Sequence, residues 1–433
     1  MRTILILAAS HVHKTSVSLK VDAEGWEMTN ERYETSKIVM VRYGELFLKS
    51  EPVKRHFIRI LTDNIHRALR AEGIDHHIET PRGRILIHGS EMNRMVSSVA
   101  RVFGVIDAGI CDQTTNNPEL LIPAAATRAK NALSHGQSFA VRVKRQLKTG
   151  PSSQELAALI GAEIQKVIPG VSVNLTHPDY ELIVEIRESG GFICDYRIAG
   201  PGGLPLTTQG TVLCLLSSGI DSPVAAWLMM KRGCSLEALF VDGGRWSGSD
   251  VFSTAVENLR RLSTWCPGHP IRMQVISSER LFDAMKEQSE LPKVCCVICK
   301  RFMIRAASAL AERTGALALV TGENLGQVAS QTLPNLATIS SAATIPIIRP
   351  LITYDKQEII NLAKTIGTYS GQQGDLACRA VPLRPATNAA LSDIQALEMH
   401  LNIPALVAGS LKESRSVIAM NGRIEDNGKS VRL

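Results

Sequence analysis

The segment Leu216-Ser-Ser-Gly-Ile-Asp-Ser222 holds the residues best suited to chemistry. It follows an almost uninterrupted apolar run, Val212-Leu-Cys-Leu-Leu216, and precedes Pro223-Val-Ala-Ala-Trp-Leu-Met-Met230. The pattern predicts a strand buried on both faces, then a helix. Small residues at such a turn let main-chain N–H groups converge on one concavity. The helix start adds partial positive charge, and Ser217 and Ser222 add hydroxyl donors. Together they make a cradle for a phosphate chain. Asp221 would repel phosphate by itself, and it fits as a carboxylate that helps hold Mg²⁺. The plainer explanation is an ordinary helix start capped by Ser and Asp.

Sulfur is the second resource. Nine cysteines are present, scattered except for Cys295, Cys296 and Cys299. In Cys296-Val-Ile-Cys299 the spacing lets two thiolates face one metal. Inert buried thiols and a structural zinc site remain alternatives. Cys111, Cys194, Cys214, Cys234 and Cys266 lack metal-ligand spacing and are expected to be structural. An odd cysteine count without a secretory signal predicts a reducing, cytoplasmic setting, with thiols rather than disulfides.

Several elements must position these groups. Residues 1–35 are poorly patterned and form an N-terminal extension of uncertain role. Residues 36–104 alternate strand and helix, with a helix over 52–72, as a small α+β unit. Residues 105–200 continue with a helix over 123–132, a helix over 153–167 and alternating strands. Gly and Pro cluster at 201–205 as a linker. Residues 206–400 repeat strand–helix–strand, which predicts a doubly wound α/β domain with a parallel sheet. Residues 401–433 show weak pattern and are expected to form a helix and a loose tail. The net charge is +7, from 48 Lys and Arg against 41 Asp and Glu. That permits a polyanionic partner without demanding one. No apolar run is long enough to cross a membrane.

The phosphate segment resembles the SGG-x-DS loop of PP-loop ATP pyrophosphatases, departing at Ser218, where the common residue is glycine. Further stretches narrow the resemblance: Cys299-Lys-Arg-Phe-Met-Ile-Arg305, Thr321-Gly-Glu-Asn-Leu-Gly-Gln-Val-Ala-Ser-Gln-Thr332, Arg349-Pro-Leu-Ile-Thr-Tyr-Asp-Lys-Gln-Glu-Ile-Ile360 and Arg42-Tyr-Gly-Glu-Leu-Phe-Leu-Lys49. From about residue 38 to 400 the chain resembles the tRNA 4-thiouridine synthetases, also called tRNA uracil 4-sulfurtransferases. The resemblance implies a ferredoxin-like domain, a THUMP RNA-binding domain and a PP-loop catalytic domain, in that order. It implies that ATP adenylates O4 of uridine 8 in tRNA, that pyrophosphate leaves, and that sulfur displaces AMP. The chemistry is sensible, because a carbonyl oxygen leaves readily only after activation. Leu216, Ser217, Ser218, Gly219, Ile220, Asp221 and Ser222 would hold the nucleotide, with Phe240, Val241, Arg305, Gly322 and Gln327 nearby. The Val241-Asp-Gly-Gly-Arg-Trp246 stretch departs from the family pattern.

Cys378 matches the family's catalytic cysteine. The chain after it is too short for the rhodanese domain that many relatives carry, so another sulfur route is expected. Cys296, Cys299 and Cys378 would ligate an iron–sulfur cluster of the [4Fe-4S] type, with one open iron. A subset of archaeal relatives resembles this arrangement. A persulfide on Cys378, resolved by Cys296 or Cys299, is the alternative. Arg142, Lys144, Arg145 and Lys148 fall in the THUMP-like region and, with Lys49, are candidate tRNA contacts. Expected partners are tRNA, a sulfide or persulfide donor, and a second subunit in a homodimer. The family is also linked to sulfur for thiamine synthesis. Rival functions are another adenylating PP-loop enzyme, or an RNA-binding protein whose loop has lost activity.

Overall fold

Strand β1 (Ser36–Tyr43) lies at the centre of the first unit and pairs with two other strands. The computed structural model describes residues 35–44, 50–147, 150–287, 292–369, 371, 374–426 and 429–430. After β1 come α1 (Glu51–Ala71), β2 (His77–Glu79), β3 (Ile85–His88), α2 (Met92–Val99) and β4 (Val105–Thr114). Helix α1 forms because Phe57, Leu61, Ile65, Ala68 and Leu69 recur on one face and are buried there. Pro52 sits in its first turn, where no N–H is needed.

The second unit runs α3 (Pro118–Lys130), β5 (Ser138–Arg145), α4 (Ser153–Val167), β6 (Ser172–Val173), β7 (Tyr180–Arg187), β8 (Gly190–Cys194) and β9 (Ile198–Ala199). Helix α3 begins earlier than the sequence suggests. Asn117 caps it, accepting from the Glu119 N–H at 3.1 Å, and Pro123 falls inside the helix. Strands β1–β9 form one nine-stranded sheet in the order β2-β3-β1-β4-β8-β7-β5-β6, with β9 also on β4. Strand β4 pairs with β1 on one side and β8 on the other, so the two units share a sheet through it. Cys111 and Cys194 face each other across β4 and β8 with Cα atoms 4.5 Å apart, joined by a disulfide. This corrects the expectation of thiols throughout. Cross-strand register, which spacing does not reveal, brings the two together.

The third unit contains β10 (Thr211–Leu215), α5 (Asp221–Lys231), β11 (Ser235–Asp242), α6 (Val251–Ser263), β12 (Ile271–Ser277), α7 (Glu279–Lys286) and α8 (Cys295–Thr314). It continues with β13 (Ala318–Val320), α9 (Leu333–Ser340), β14 (Ile347–Ile348), α10 (Lys356–Ile366), α11 (Leu391–His400), α12 (Ile403–Lys412), β15 (Arg415–Met420), β16 (Arg423–Asp426) and β17 (Lys429–Ser430). The sheet order is β14-β13-β10-β11-β12-β15-β16-β17, with β14 to β12 mutually parallel. Alternate residues of β10 and β11 enter two separate cores. Val212, Cys214, Ala238 and Phe240 enter one, and Leu213 and Leu239 the other. That double burial explains the unbroken apolar character of β10. The chain moves from β10 out to β12, then returns to β13 on the other side. A crevice therefore opens beyond the carboxyl end of β10.

Helix α8 begins at Cys295, which places three cysteines in its first turns. The expected helix is α12, but the tail expected to be loose after it is instead the β15–β16 hairpin with β17 beside it. Strand β15 pairs antiparallel with β12, and Val417 and Ala419 are buried on one face. Its six residues alternate too briefly to stand out in the sequence. Among the described residues, no helix is long and apolar enough to cross a membrane.

Candidate active site

The turn between β10 and α5 is held open by its own serines. Ser217 N–H donates to Ser222 Oγ at 2.8 Å, and the two hydroxyls lie 2.9 Å apart. Gly219 N–H donates to Ser217 Oγ at 3.3 Å, and Asn258 Nδ2 donates to the Ser217 carbonyl at 3.1 Å. The loop is thus shaped before any ligand arrives. Helix α5 starts at Asp221 and points its N-terminal N–H groups at the same crevice. Gly322 closes the far side. A Cβ there would lie 2.6 Å from Ser222 N and 2.7 Å from the Asp221 carbonyl carbon. Only glycine allows the two backbones to pass so closely.

These elements surround a cavity of about 210 Å³ lined by Ser217, Gly219, Asp221, Ser222, Thr321, Gly322 and Glu323, with Lys300, Met303 and Ile304 from α8. Asp221 accepts from Lys356 Nζ at 2.7 Å and from Gln327 Nε2 at 3.3 Å. Glu323 is buried and accepts from Lys300 Nζ at 3.0 Å, Arg349 Nε at 2.7 Å and Thr321 Oγ1 at 3.1 Å. Burial pushes its carboxyl up, but Lys300 and Arg349 outweigh that and hold it below the ordinary value. The wall therefore keeps two cations beside a site shaped for phosphates.

Several sequence-predicted residues lie elsewhere. Leu216 is buried and its N–H donates to the Leu239 carbonyl. Ser218 and Ile220 belong to the loop but not to the cavity lining, and Phe240 is core. Val241 packs against the other core. Arg305 Nη2 pairs with Glu398 at 2.9 Å, and that carboxylate also binds buried Arg301, so Arg305 is engaged away from the cavity. Gln327 is outside the cavity lining and hydrogen-bonds Asp221, which is part of it. Lys300, Glu323, Arg349 and Lys356 carried no role in the sequence reading. All four lie inside motifs already quoted, where only the fold shows which way they face.

Helix α8 carries more than the cavity wall. Cys296, Lys300 and Met303 follow one another at three- and four-residue steps, on one helical face. Cys296 is half-buried, Cys299 buried and Cys378 exposed. Burial pushes the Cys296 and Cys299 thiols up, and the charge of a Cys378 thiolate pushes both further. Cys295 is pushed up to about 12 for the same reasons, burial first. The four sulfurs therefore share one neighbourhood, although Cys378 is far from the others in sequence. Among the described residues, no three His, Cys, Asp or Glu side chains are gathered tightly enough to hold a metal ion. Cys378 stands opposite Ser247 in an isolated antiparallel bridge.

On the nine-stranded sheet, Arg142 pairs with Glu181 at 2.8 Å and donates to the Leu175 carbonyl. Lys144 is exposed, while Arg145 is half-buried. Lys49 and Lys148 lie outside the described residues. Glu185 is fully buried and accepts from Arg84, Arg187 and Arg197. Arg84 comes from the first unit and Glu185 from the second, so this network clamps the two together.

The family model of the thiamine biosynthesis protein ThiI matches residues 207–403. The ThiI ferredoxin-like domain matches residues 38–108, and the THUMP domain residues 118–194. A probable tRNA sulfurtransferase of Methanobrevibacter smithii is 37% identical, covering 83% of this chain and 94% of its own. The chain belongs to the tRNA sulfurtransferase family. A second such relative, from Methanothermobacter thermautotrophicus, is 36% identical over 86% of this chain and 95% of its own. Among solved structures, a 4-thiouridine synthetase–RNA complex with bound ATP is 32% identical. Its TM-score is 0.77, covering 89% of this chain and 100% of that one. Membership in the sulfurtransferase family thus spans all three units, and the ferredoxin-like, THUMP and PP-loop order agrees with the sequence reading.

Proposed function

We propose that this chain is a tRNA uracil 4-sulfurtransferase that converts uridine 8 of tRNA to 4-thiouridine at the expense of ATP. The observation that supports it most is helix α8. One face of it lines the phosphate cavity at Lys300 and Met303, and carries Cys296 one turn away. Activation and sulfur delivery can then occur at adjoining places.

ATP would lie with its outer phosphates on the Ser217 to Ser222 turn. The uridine O4 attacks the α-phosphorus, the bond to pyrophosphate breaks, and O4 becomes an AMP ester. A sulfur nucleophile then adds at C4 and the C4–O bond breaks, releasing AMP with the former carbonyl oxygen. Lys300, Lys356 and the helix terminus offset negative charge on the departing groups. Mg²⁺ would sit at Asp221, which faces the cavity, and would neutralise the phosphates. The hydrogen bonds that preshape the loop favour a working site over a lapsed one.

Cys296, Cys299 and Cys378 would hold an iron–sulfur cluster, and the donor set suits one: three thiols of the cluster-binding type, with Cys295 beside them as a buried fourth sulfur. The sulfurs share a neighbourhood but are not drawn to ligand distance. Bound, the cluster would supply an open iron that accepts sulfide. Cys378 as a persulfide carrier is the rival that the same exposure permits. Arg142, Lys144 and Arg145 would meet tRNA phosphates, with Lys49 and Lys148 further candidates. A cytoplasmic homodimer, one subunit presenting tRNA to the other, completes the proposal.

The test is incubation of the protein with ATP, Mg²⁺, unmodified tRNA and a reduced sulfur source under anaerobic conditions. Nucleoside mass spectrometry should show 4-thiouridine with equimolar AMP, and none with tRNA bearing cytidine at position eight. Sulfur incorporation independent of ATP would contradict the proposal.

A further inference from the structure

The loop that carries Cys378 is seated on a stretch of main chain following β11. Arg379 N–H donates to the Trp246 carbonyl at 2.7 Å, Gly248 N–H to the Ala377 carbonyl at 2.8 Å, and Asp250 N–H to the Asp375 carbonyl at 3.3 Å. These bonds alternate along one antiparallel register, in which Ser247 opposes Cys378. Side chains alternate faces along such a ribbon, so a one-residue slip would turn Cys378 to the opposite side.

Two features fix the register. Gly248 is pressed against the partner: a Cβ there would lie 2.0 Å from the Asp375 carbonyl oxygen. Asp250 Oδ2 accepts the Asp375 N–H at 2.9 Å, locking the end of the ribbon reciprocally. A Cβ on Gly374 would come within 2.8 Å of that same Asp250 oxygen, so a larger residue at 374 would displace the contact. Asp375 also holds Arg379 at 2.9 Å, bracing the turn on which Cys378 rides.

We propose that residues 246–250 are the register-setting seat of the sulfur-handling cysteine, with Gly248 and Asp250 as positioning residues for sulfur transfer rather than contacts to adenosine. The role assigned to Cys378 rests on the tRNA thiolation proposed above, whereas the seat itself rests only on the hydrogen bonds just given. The departure of the Val241 to Trp246 stretch from the family pattern then adjoins the sulfur side of the site.

The test uses the full chain, purified anaerobically, as wild type, Gly248→Ala, Asp250→Ala and Asp250→Asn. Two quantities are read: 4-thiouridine formed per pyrophosphate released, and the rate of Cys378 alkylation by iodoacetamide, mapped by mass spectrometry. Loosening the seat should lower the ratio ~10-fold in Gly248→Ala and Asp250→Ala, because misplacing a reacting group costs rate steeply. Both should also alkylate Cys378 faster than wild type. Asp250→Asn keeps an acceptor oxygen for the Asp375 N–H and should behave like wild type in both readouts. Unchanged ratio and alkylation in Gly248→Ala and Asp250→Ala overturn the inference, as does equal damage from Asp250→Asn. A wild type that releases no pyrophosphate with tRNA would refute the thiolation proposal instead. The alkylation comparison would then still decide the seat.

Discussion

Lys356 reaches across the mouth of the crevice to place its ammonium 2.7 Å from the Asp221 carboxylate, with Gln327 on the other oxygen. The turn between β10 and α5, proposed to hold the phosphates, and the helix that follows β14 are thereby tied at the mouth of the crevice. Asp221→Asn weakens the claim of this site on both Lys356 and a magnesium ion. Its kcat/KM for tRNA-dependent pyrophosphate release should fall ~100-fold or more, the scale of losing one preorganised charge. An activity within a few-fold of wild type would show that the carboxylate does not serve the nucleotide.

Gly322→Ala tests the closeness of two backbones. The added methyl would press on Ser222 N and the Asp221 carbonyl carbon, both main-chain atoms that cannot swing aside. The turn should open and the Kd for ATP should rise ~10-fold or more, since misplacements of about 1 Å are costly. The unfolding midpoint should fall less than for a core cavity. Isothermal titration with ATP and a thermal scan read the two effects separately.

Glu323→Gln leaves Lys300 and Arg349 facing each other across a buried amide. Removing the shared anion should destabilise the chain by about 2 kcal/mol, less than for a fully enclosed pair because Lys300 keeps access to water. The same change frees the Lys300 ammonium from the wall. Thermal unfolding and steady-state pyrophosphate release should both register it.

Glu185 predicts an acid limit for the first two units. Burial alone would push its carboxyl up, yet Arg84 and Arg197 pull it down from 4.5 to about 2. A depressed carboxyl contributes its stability in full above the unfolded value and loses it as pH falls through the folded one. The contribution is on the order of 3 kcal/mol and should fade between about pH 4.5 and about pH 2. Glu185→Gln should flatten the dependence of the unfolding midpoint on pH over that window while lowering stability near neutrality. A mutant with the wild-type acid profile would argue against the clamp.

The phosphate turn was legible in the sequence because its chemistry is local: an apolar strand, small residues and a helix start within a dozen positions. The doubly wound order was legible for the same reason, since β10 announces double burial by its unbroken apolar run. What stayed hidden depends on pairings far apart in the chain. Cys111 meets Cys194 only through the register of β4 on β8. Cys378 meets Ser247 only once the loop after β11 is laid against it. Arg305 read as a phosphate contact by its place in a family motif, but a carboxylate on α11 claims it. Lys300 and Glu323 carry no role in the sequence reading, because which side of α8 faces the cavity, and that Glu323 after β13 meets it there, are matters of packing.

The central claim is that the uridine carbonyl is activated as an AMP ester before sulfur arrives. The most direct measurement places heavy oxygen at O4 of uridine 8 in tRNA and follows it by mass spectrometry through one turnover with ATP and sulfide. The account predicts that the label leaves in the phosphate of AMP, in step with 4-thiouridine. Label released to water, with unlabelled AMP, would contradict it.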